Sequence, residues 1–119
     1  MSQAEFADQL KALGFAVAEI GGSRVSFPFT IPVGKLRGKE VTLGFEVPGD
    51  YPNTPPGGPH IRPRLLPLNP GAAGHPERVA ESGFGGDWEY LSRPFSGWAE
   101  SPHNAKVYMS HVRGLFATL

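Results

Sequence analysis

The chain has 119 residues, 39% apolar and 18% charged, with eleven Lys and Arg against eleven Asp and Glu and no cysteine. That is the composition of one globular domain over 1–119, able to bury about two thirds of its unfolded surface without a disulfide or a metal. Balanced charge gives no field for nucleic acid or an anionic membrane, and neither a leader pattern nor a membrane-length apolar run is present, so a cytoplasmic protein is expected.

Ser2-Gln3-Ala4-Glu5 has the spacing of a capping box. Phe6, Leu10 and Leu13 follow at helical spacing, and Gly14 stands where a helix stops. This predicts a helix over 3–13, docked by one apolar stripe. From Phe15 the period changes to two. Phe15 and Val17 open a strand, and Gly21-Gly22 reads as a turn. Val25, Phe27, Phe29, Ile31 and Val33 then alternate, with Pro28 and Pro32 on the opposite parity. Proline donates nothing to a ladder, so this strand is expected to bend or to lie at an edge there. The next turn, GKLRGKE, carries Lys35, Arg37 and Lys39. It is a solvated basic tip or a dock for an acidic surface, joined by Arg62 and Arg64 if the sheet brings them close. Val41, Leu43, Phe45 and Val47 alternate again, and 60–66 reads as a short strand between prolines. Short loops between alternating strands predict an antiparallel meander with one buried face.

Between them lies a stiff stretch, FEVPGDYPNTPPGGPHIRP, with six prolines and three glycines in nineteen residues. Asp50 is expected to turn the chain by bonding a nearby backbone N–H. Pro52, Pro55 and Pro56 hold it extended, and Pro55–Pro56 is the candidate cis bond. From 67 to 97 the periodicity fades, with six glycines in thirty-one residues, and a long functional loop is expected. Ser101-Pro102 then offers an N-cap and a first helical position. Ala105, Tyr108, Met109, Val112, Leu115, Phe116 and Leu119 fit one face of a last helix. The order predicts an α+β fold, one antiparallel sheet with helices on one face or at its ends.

The four histidines, His60, His75, His103 and His111, show no metal-ligand spacing, so neither a metal nor another cofactor is expected. His103 falls in the first turn of the last helix and His111 on an exposed face. His75, in the long loop, can form an acid–base pair with Asp87 or Glu89, or stand as a solvated loop histidine. GFGGDWEY lacks a following Lys-Ser/Thr and is no phosphate loop. Trp88, Tyr90 and Trp98 suit core or rim packing better than ligand stacking.

A strand ending in proline, followed by DYPNTPP and a short strand, resembles the ubiquitin-conjugating enzyme superfamily. In that fold an N-terminal helix precedes a four-stranded antiparallel meander, and a Tyr-Pro-x-x-Pro-Pro segment follows the third strand. Tyr51, Pro52, Pro55 and Pro56 match that segment. His75-Pro76 is similar to the family's His-Pro-Asn, with Glu77 in place of the asparagine. Trp98 resembles the tryptophan that follows the active-site loop. The family's catalytic cysteine should lie within GDWEYLSRPFSGW, where this chain offers Glu89, Tyr90, Leu91 and Ser92 and no thiol. A thiolate forms readily because its pKa is about 8.5, whereas serine and tyrosine hydroxyls need a partner base. WEYLSRPF further resembles a Trp-x-x-x-Ser-Arg segment of bacterial members that accompany ubiquitin-like proteins, activating enzymes and metalloproteases in gene clusters. Some of those lack the cysteine. Their arginine is often followed by histidine, where this chain has Pro94.

The resemblance implies a cysteine-less adaptor of the ubiquitin-conjugating fold in a bacterial ubiquitin-like pathway. Its partners would be a ubiquitin-like protein or its activating enzyme. The binding residues it implies are Tyr51, Pro52, Pro55, Pro56, Trp88, Arg93 and Trp98, with 84–98 as the surface. Two alternatives stay open. One is an oxyester enzyme using Ser92 or Tyr90, assisted by His75 or Asp87. The other is a structural interaction module of the related RWD type, with no modifier partner.

Overall fold

The computed structural model describes residues 2–66, 79–91, 95 and 97–118. In chain order the elements are α1 (Ser2–Ala12), β1 (Ala18–Ile20), β2 (Arg24–Thr30), β3 (Glu40–Glu46), β4 (His60–Arg62), β5 (Val79–Glu81), β6 (Glu89–Leu91), a 3₁₀ turn (Trp98–Glu100) and α2 (Ala105–Ala117). The strands make one antiparallel sheet in the order β1-β2-β3-β4-β6-β5. It is an α+β architecture with a helix at each end of the chain. The first four strands follow the expected meander. The sheet has six strands, not four: β5 and β6 form inside the stretch that the sequence presents as loop, and β6 inserts between β4 and β5.

α1 ends as Gly14 predicts. Gly14 takes φ +98°, its N–H donates to the Lys11 carbonyl, and Phe15 N–H reaches back to the Leu10 carbonyl. Those two bonds are the Schellman pattern, and they satisfy carbonyls the helix leaves open. Phe6, Ala7 and Leu10 are fully buried, but Leu13 is 43% exposed, so the stripe is one residue shorter than its spacing suggests. Burying Phe6 and Leu10 contributes about 1.5–3 kcal/mol each. β2 is interior, yet β1 pairs only with Arg24 to Ser26. Pro28 therefore lies beyond the end of β1, where its missing N–H leaves no ladder bond to that strand unmade.

Alternation gives the sheet two faces. Val25, Phe27, Leu43, Phe45 and Ile61 point to the helices and are at most 1% exposed. Phe45 and Phe6 both meet the Tyr108 ring edge-on, at 5.4 and 6.0 Å, which joins sheet, α1 and α2 into one core. The opposite parity, Ser26, Gly44, His60 and Tyr90, forms the outer face.

α2 starts later than Ser101-Pro102 suggests. The Ser101 hydroxyl donates instead to the Gly97 carbonyl, and Asn104 caps the helix by accepting from Val107 N–H. His103 consequently precedes the helix. At the β2–β3 turn, Leu36 is buried, while Lys35, Arg37 and Lys39 are exposed. Gly34 (φ +83°) lies so close to α2 that a Cβ there would sit 2.0 Å from the Phe116 carbonyl oxygen, whereas Gly38 (φ +87°) faces open space. Both glycines relieve left-handed strain, but only Gly34 also avoids a clash. Gly34→Ala is expected to destabilise the protein by about 3 kcal/mol and Gly38→Ala by about 1 kcal/mol. Urea unfolding of the two variants checks this, and equal losses would remove the role assigned to the Gly34–α2 contact.

Candidate functional site

The proline segment is held from inside the fold. Tyr51 puts its ring 5.1 Å from Phe6 and 6.1 Å from Trp98, and its hydroxyl donates to Gln9 Oε1 at 2.6 Å. The same Gln9 oxygen accepts the Ala105 N–H at 2.9 Å, so one amide ties α1, the proline segment and the start of α2. The Trp98 indole N–H is shared between the carbonyls of Pro52 (3.1 Å) and Asn53 (3.2 Å). His103 stacks on the other part of this cluster, 4.9 Å from the Trp98 ring and nearly parallel to it. Among the described residues the cis bonds are Tyr51–Pro52 and Arg62–Pro63, so the expected Pro55–Pro56 position is corrected. Asp50 bonds the Thr54 hydroxyl and not a backbone N–H.

Farther along, Pro56 is buried and Pro55 half-buried. The Gly57 carbonyl accepts the Tyr108 hydroxyl, and Gly57 N–H donates to the Glu46 backbone carbonyl. Burial, with Glu5 nearby, pushes the Tyr51 hydroxyl pKa far above its ordinary value, and burial does the same for Tyr108. Both stay neutral hydrogen-bond donors. Tyr51 and Trp98 are each 4% exposed. They set the course of the surface chain and present almost no surface of their own.

Trp88 and Tyr90 belong to a second cluster, on the outer face of the sheet. The β5–β6 turn folds Phe84 and Trp88 back over Gly44, where a Cβ would lie 2.6 Å from the Phe84 ring. The absent side chain of Gly44 makes the space they occupy. His60 is stacked between Phe84 (4.3 Å) and Tyr90 (4.6 Å). Two cations cap the aromatic layer, Arg24 over Phe84 at 4.6 Å and Arg62 over Trp88 at 5.0 Å. Arg24 is also paired with Glu46 at 3.3 Å and donates to the Gly83 carbonyl. The Ser23 hydroxyl donates to the other Glu46 oxygen, and that bond together with the hydrogen bond and charge of Arg24 holds the Glu46 carboxyl below its ordinary pKa.

The histidine that acts here is His60, which sequence reasoning placed on a strand and gave no role. Its Nδ1 lies 2.7 Å from Ser82 Oγ, and Ser82 Oγ accepts the Phe84 N–H at 3.0 Å. A hydroxyl beside a neutral imidazole is the pairing used to activate serine. Three features argue for a structural use. The hydroxyl oxygen accepts the Phe84 N–H and so holds the turn, the imidazole is covered by aromatic rings, and its pKa is pushed down to about 4 by burial and by Arg24. So weak a base has little power to take a proton from serine. The pair fastens the aromatic turn to the sheet.

The remaining sequence candidates separate. His75, Ser92 and Arg93 lie outside the described residues. Asp87 is exposed at the β5–β6 turn, beside a hollow it lines with Arg62 and Arg64. No hydrogen bond joins Asp87 to Tyr90 among the described residues. Glu89 is fully buried on the helix side, and its Oε1 accepts the N–H groups of Leu65 (2.8 Å) and Leu66 (3.0 Å). It anchors the end of the 60–66 segment. His111 is half-buried, not exposed as its helical position suggests, and stacks on Phe95 at 4.5 Å. Arg62 pairs in register with Thr42, which brings it to the same end of the sheet as the basic turn, while Arg64 is paired with Glu81 at 2.7 Å.

Among the described residues no group of three or more His, Asp or Glu could hold a metal ion, and no helix is long and apolar enough to cross a membrane. No family model, no characterised protein and no solved structure matches the chain.

The half-buried His60 makes stability depend on pH. Its folded pKa of about 4 lies below the ordinary 6.5, so between those values the unfolded chain binds a proton that the folded form refuses. The contribution is complete above pH 6.5 and is lost as pH falls towards 4. His60→Gln is expected to show a shallower loss of unfolding free energy across that window than the parent protein. Urea titrations at pH 7, 5.5 and 4.5 measure it; identical slopes would mean that His60 titrates normally.

Proposed function

We propose that this chain is a cysteine-less relative of ubiquitin-conjugating enzymes, of bacterial origin and cytoplasmic, and that it acts as a binding component. Its partner is a ubiquitin-like protein or the enzyme that activates one. The observation that carries this reading is the grip of Trp98 on the carbonyls of Pro52 and Asn53. It joins two separate parts of the resemblance, the Tyr-Pro-x-x-Pro-Pro segment after β3 and the tryptophan ahead of the last helix. The order of α1, the β1–β4 meander and α2 supports the same reading.

Chemistry sets the limit on its role. The sequence contains no thiol, so it has no group for the ordinary thioester relay. Tyr90, one of the two hydroxyls considered in place of the cysteine, is stacked on His60, and that imidazole is engaged with Ser82. It therefore has no base positioned to activate it among the described residues. A role in holding a partner needs no such base.

Titration calorimetry with a ubiquitin-like protein from the same organism is expected to show saturable binding. Intact-mass analysis after incubation with that protein, its activating enzyme and ATP is expected to show no covalent adduct. Absence of binding at high micromolar concentration would leave only a structural module. An adduct lost on Tyr90→Phe or Ser92→Ala would establish oxyester chemistry and overturn the non-catalytic role.

A further inference from the structure

We propose that the outward face of α2 is a docking surface for an acidic amphipathic helix of a partner protein. This goes beyond the reading above and does not rest on it. α2 buries Ala105, Tyr108, Val112, Leu115 and Phe116 against the core. Its opposite side carries Lys106, Met109, Ser110, Arg113, Gly114 and Ala117, a continuous stripe at helical spacing. Two hollows open along that stripe. One, of about 290 Å³, lies between α2 and the end of α1 and is lined by Leu13, Phe15, Lys106, Met109, Ser110 and Arg113. The other, of about 370 Å³, continues towards the β2–β3 turn and is lined by Val33, Ser110, Arg113, Gly114 and Ala117. They share Ser110 and Arg113 and so form one trough. From Lys106 to Ala117 it runs about 17 Å along the helix, the length of roughly three helical turns.

The trough has an apolar floor and a cationic rim. Leu13, at 43%, is one of two large apolar side chains so exposed among the described residues, and Phe15, Val33 and Met109 are half-buried beside it. Open apolar surface of this kind is stabilised when another apolar surface covers it. Lys106 and Arg113 are exposed, and neither is in an ion pair among the described residues. No carboxylate lines either hollow, and α2 contains no acidic residue. The field at the rim therefore favours carboxylates and opposes a second copy of the same cationic face. Gly114 fits this use. It is an interior helical residue, and a methyl group there would meet nothing within 4 Å. Packing inside the molecule does not require glycine at that point, although alanine is the better helix former. Its bare backbone leaves room for a partner to approach closely. An apolar stripe flanked by Glu or Asp is the complement of this trough, in the manner of a helix laid into a groove.

The test is a titration of the full chain, followed by amide chemical shifts, with a synthetic helical peptide carrying leucines on one face and glutamates beside them. Saturable binding is expected, with shift changes centred on Leu13, Met109, Arg113 and Gly114. Arg113→Glu and Leu13→Asp, both changes at exposed positions, should each weaken it by about tenfold or more. The same peptide with lysine in place of glutamate should not bind. The proposal is overturned by absence of saturation, by shifts centred elsewhere, or by equal binding of the lysine peptide. It is also overturned if sedimentation shows that the trough closes against a second copy of this chain.

Discussion

The arrangement depends on one side-chain carbonyl. Gln9 Oε1 accepts two hydrogen bonds, from the Tyr51 hydroxyl and from Ala105 N–H, and those donors lie 42 and 96 residues away along the chain. A carbonyl oxygen has two acceptor sites, and both are used. Ala105 is the first residue of α2, so its N–H has no partner within the helix. Tyr51 is almost fully buried, and its hydroxyl would lose its hydration without compensation if Gln9 were absent. The helices, the proline segment and the Trp98 turn meet at this point. The prolines then matter as stiff struts: each fixes one backbone angle, so the position set by Gln9 and Trp98 is transmitted along the segment to Gly57, where Tyr108 receives it.

The two faces of the sheet are built on different terms. The helix face is an ordinary apolar core with aromatic contacts. The outer face is covered by its own hairpin turn, laid over Gly44 and fastened by the Ser82–His60 bond and by two arginines. Its aromatic layer is largely covered, whereas the trough between α2 and Leu13 carries open apolar surface. That division makes the two clusters around Trp98 and His60 internal supports, and the trough along α2 is lined by residues of neither.

Much of the fold was legible because β2 and β3 are long enough for their alternation to be read, and because Gly14 is a clear stop for α1. β5 and β6 were not. Each has three residues, too few for a period, and β6 turns a glutamate towards the core, so alternation of apolar and polar residues points the wrong way at Glu89. The N–H groups of Leu65 and Leu66 account for one oxygen of the buried carboxyl, Oε1, while Oε2 is buried with no hydrogen-bond partner among the described residues. The start of α2 was misread for a similar reason, since Ser101 uses its hydroxyl on Gly97 and leaves the cap to Asn104. For the candidate site, sequence identified Tyr51, Pro52 and Trp98 but not their contact, which spans 45 to 46 residues. His60 carried no signal because its partners, Ser82, Phe84 and Tyr90, gather around it through the strand pairing of β4 with β6.

The most direct test of this account is a double-mutant cycle between Gln9 and Tyr51, read by urea unfolding of the parent, Gln9→Ala, Tyr51→Phe and the combined variant. The shared hydrogen bond predicts that the two losses are not additive, with a coupling of about 1 kcal/mol or more. Additivity to within about 0.3 kcal/mol would contradict it, and the proline segment would then be held by its apolar contacts alone.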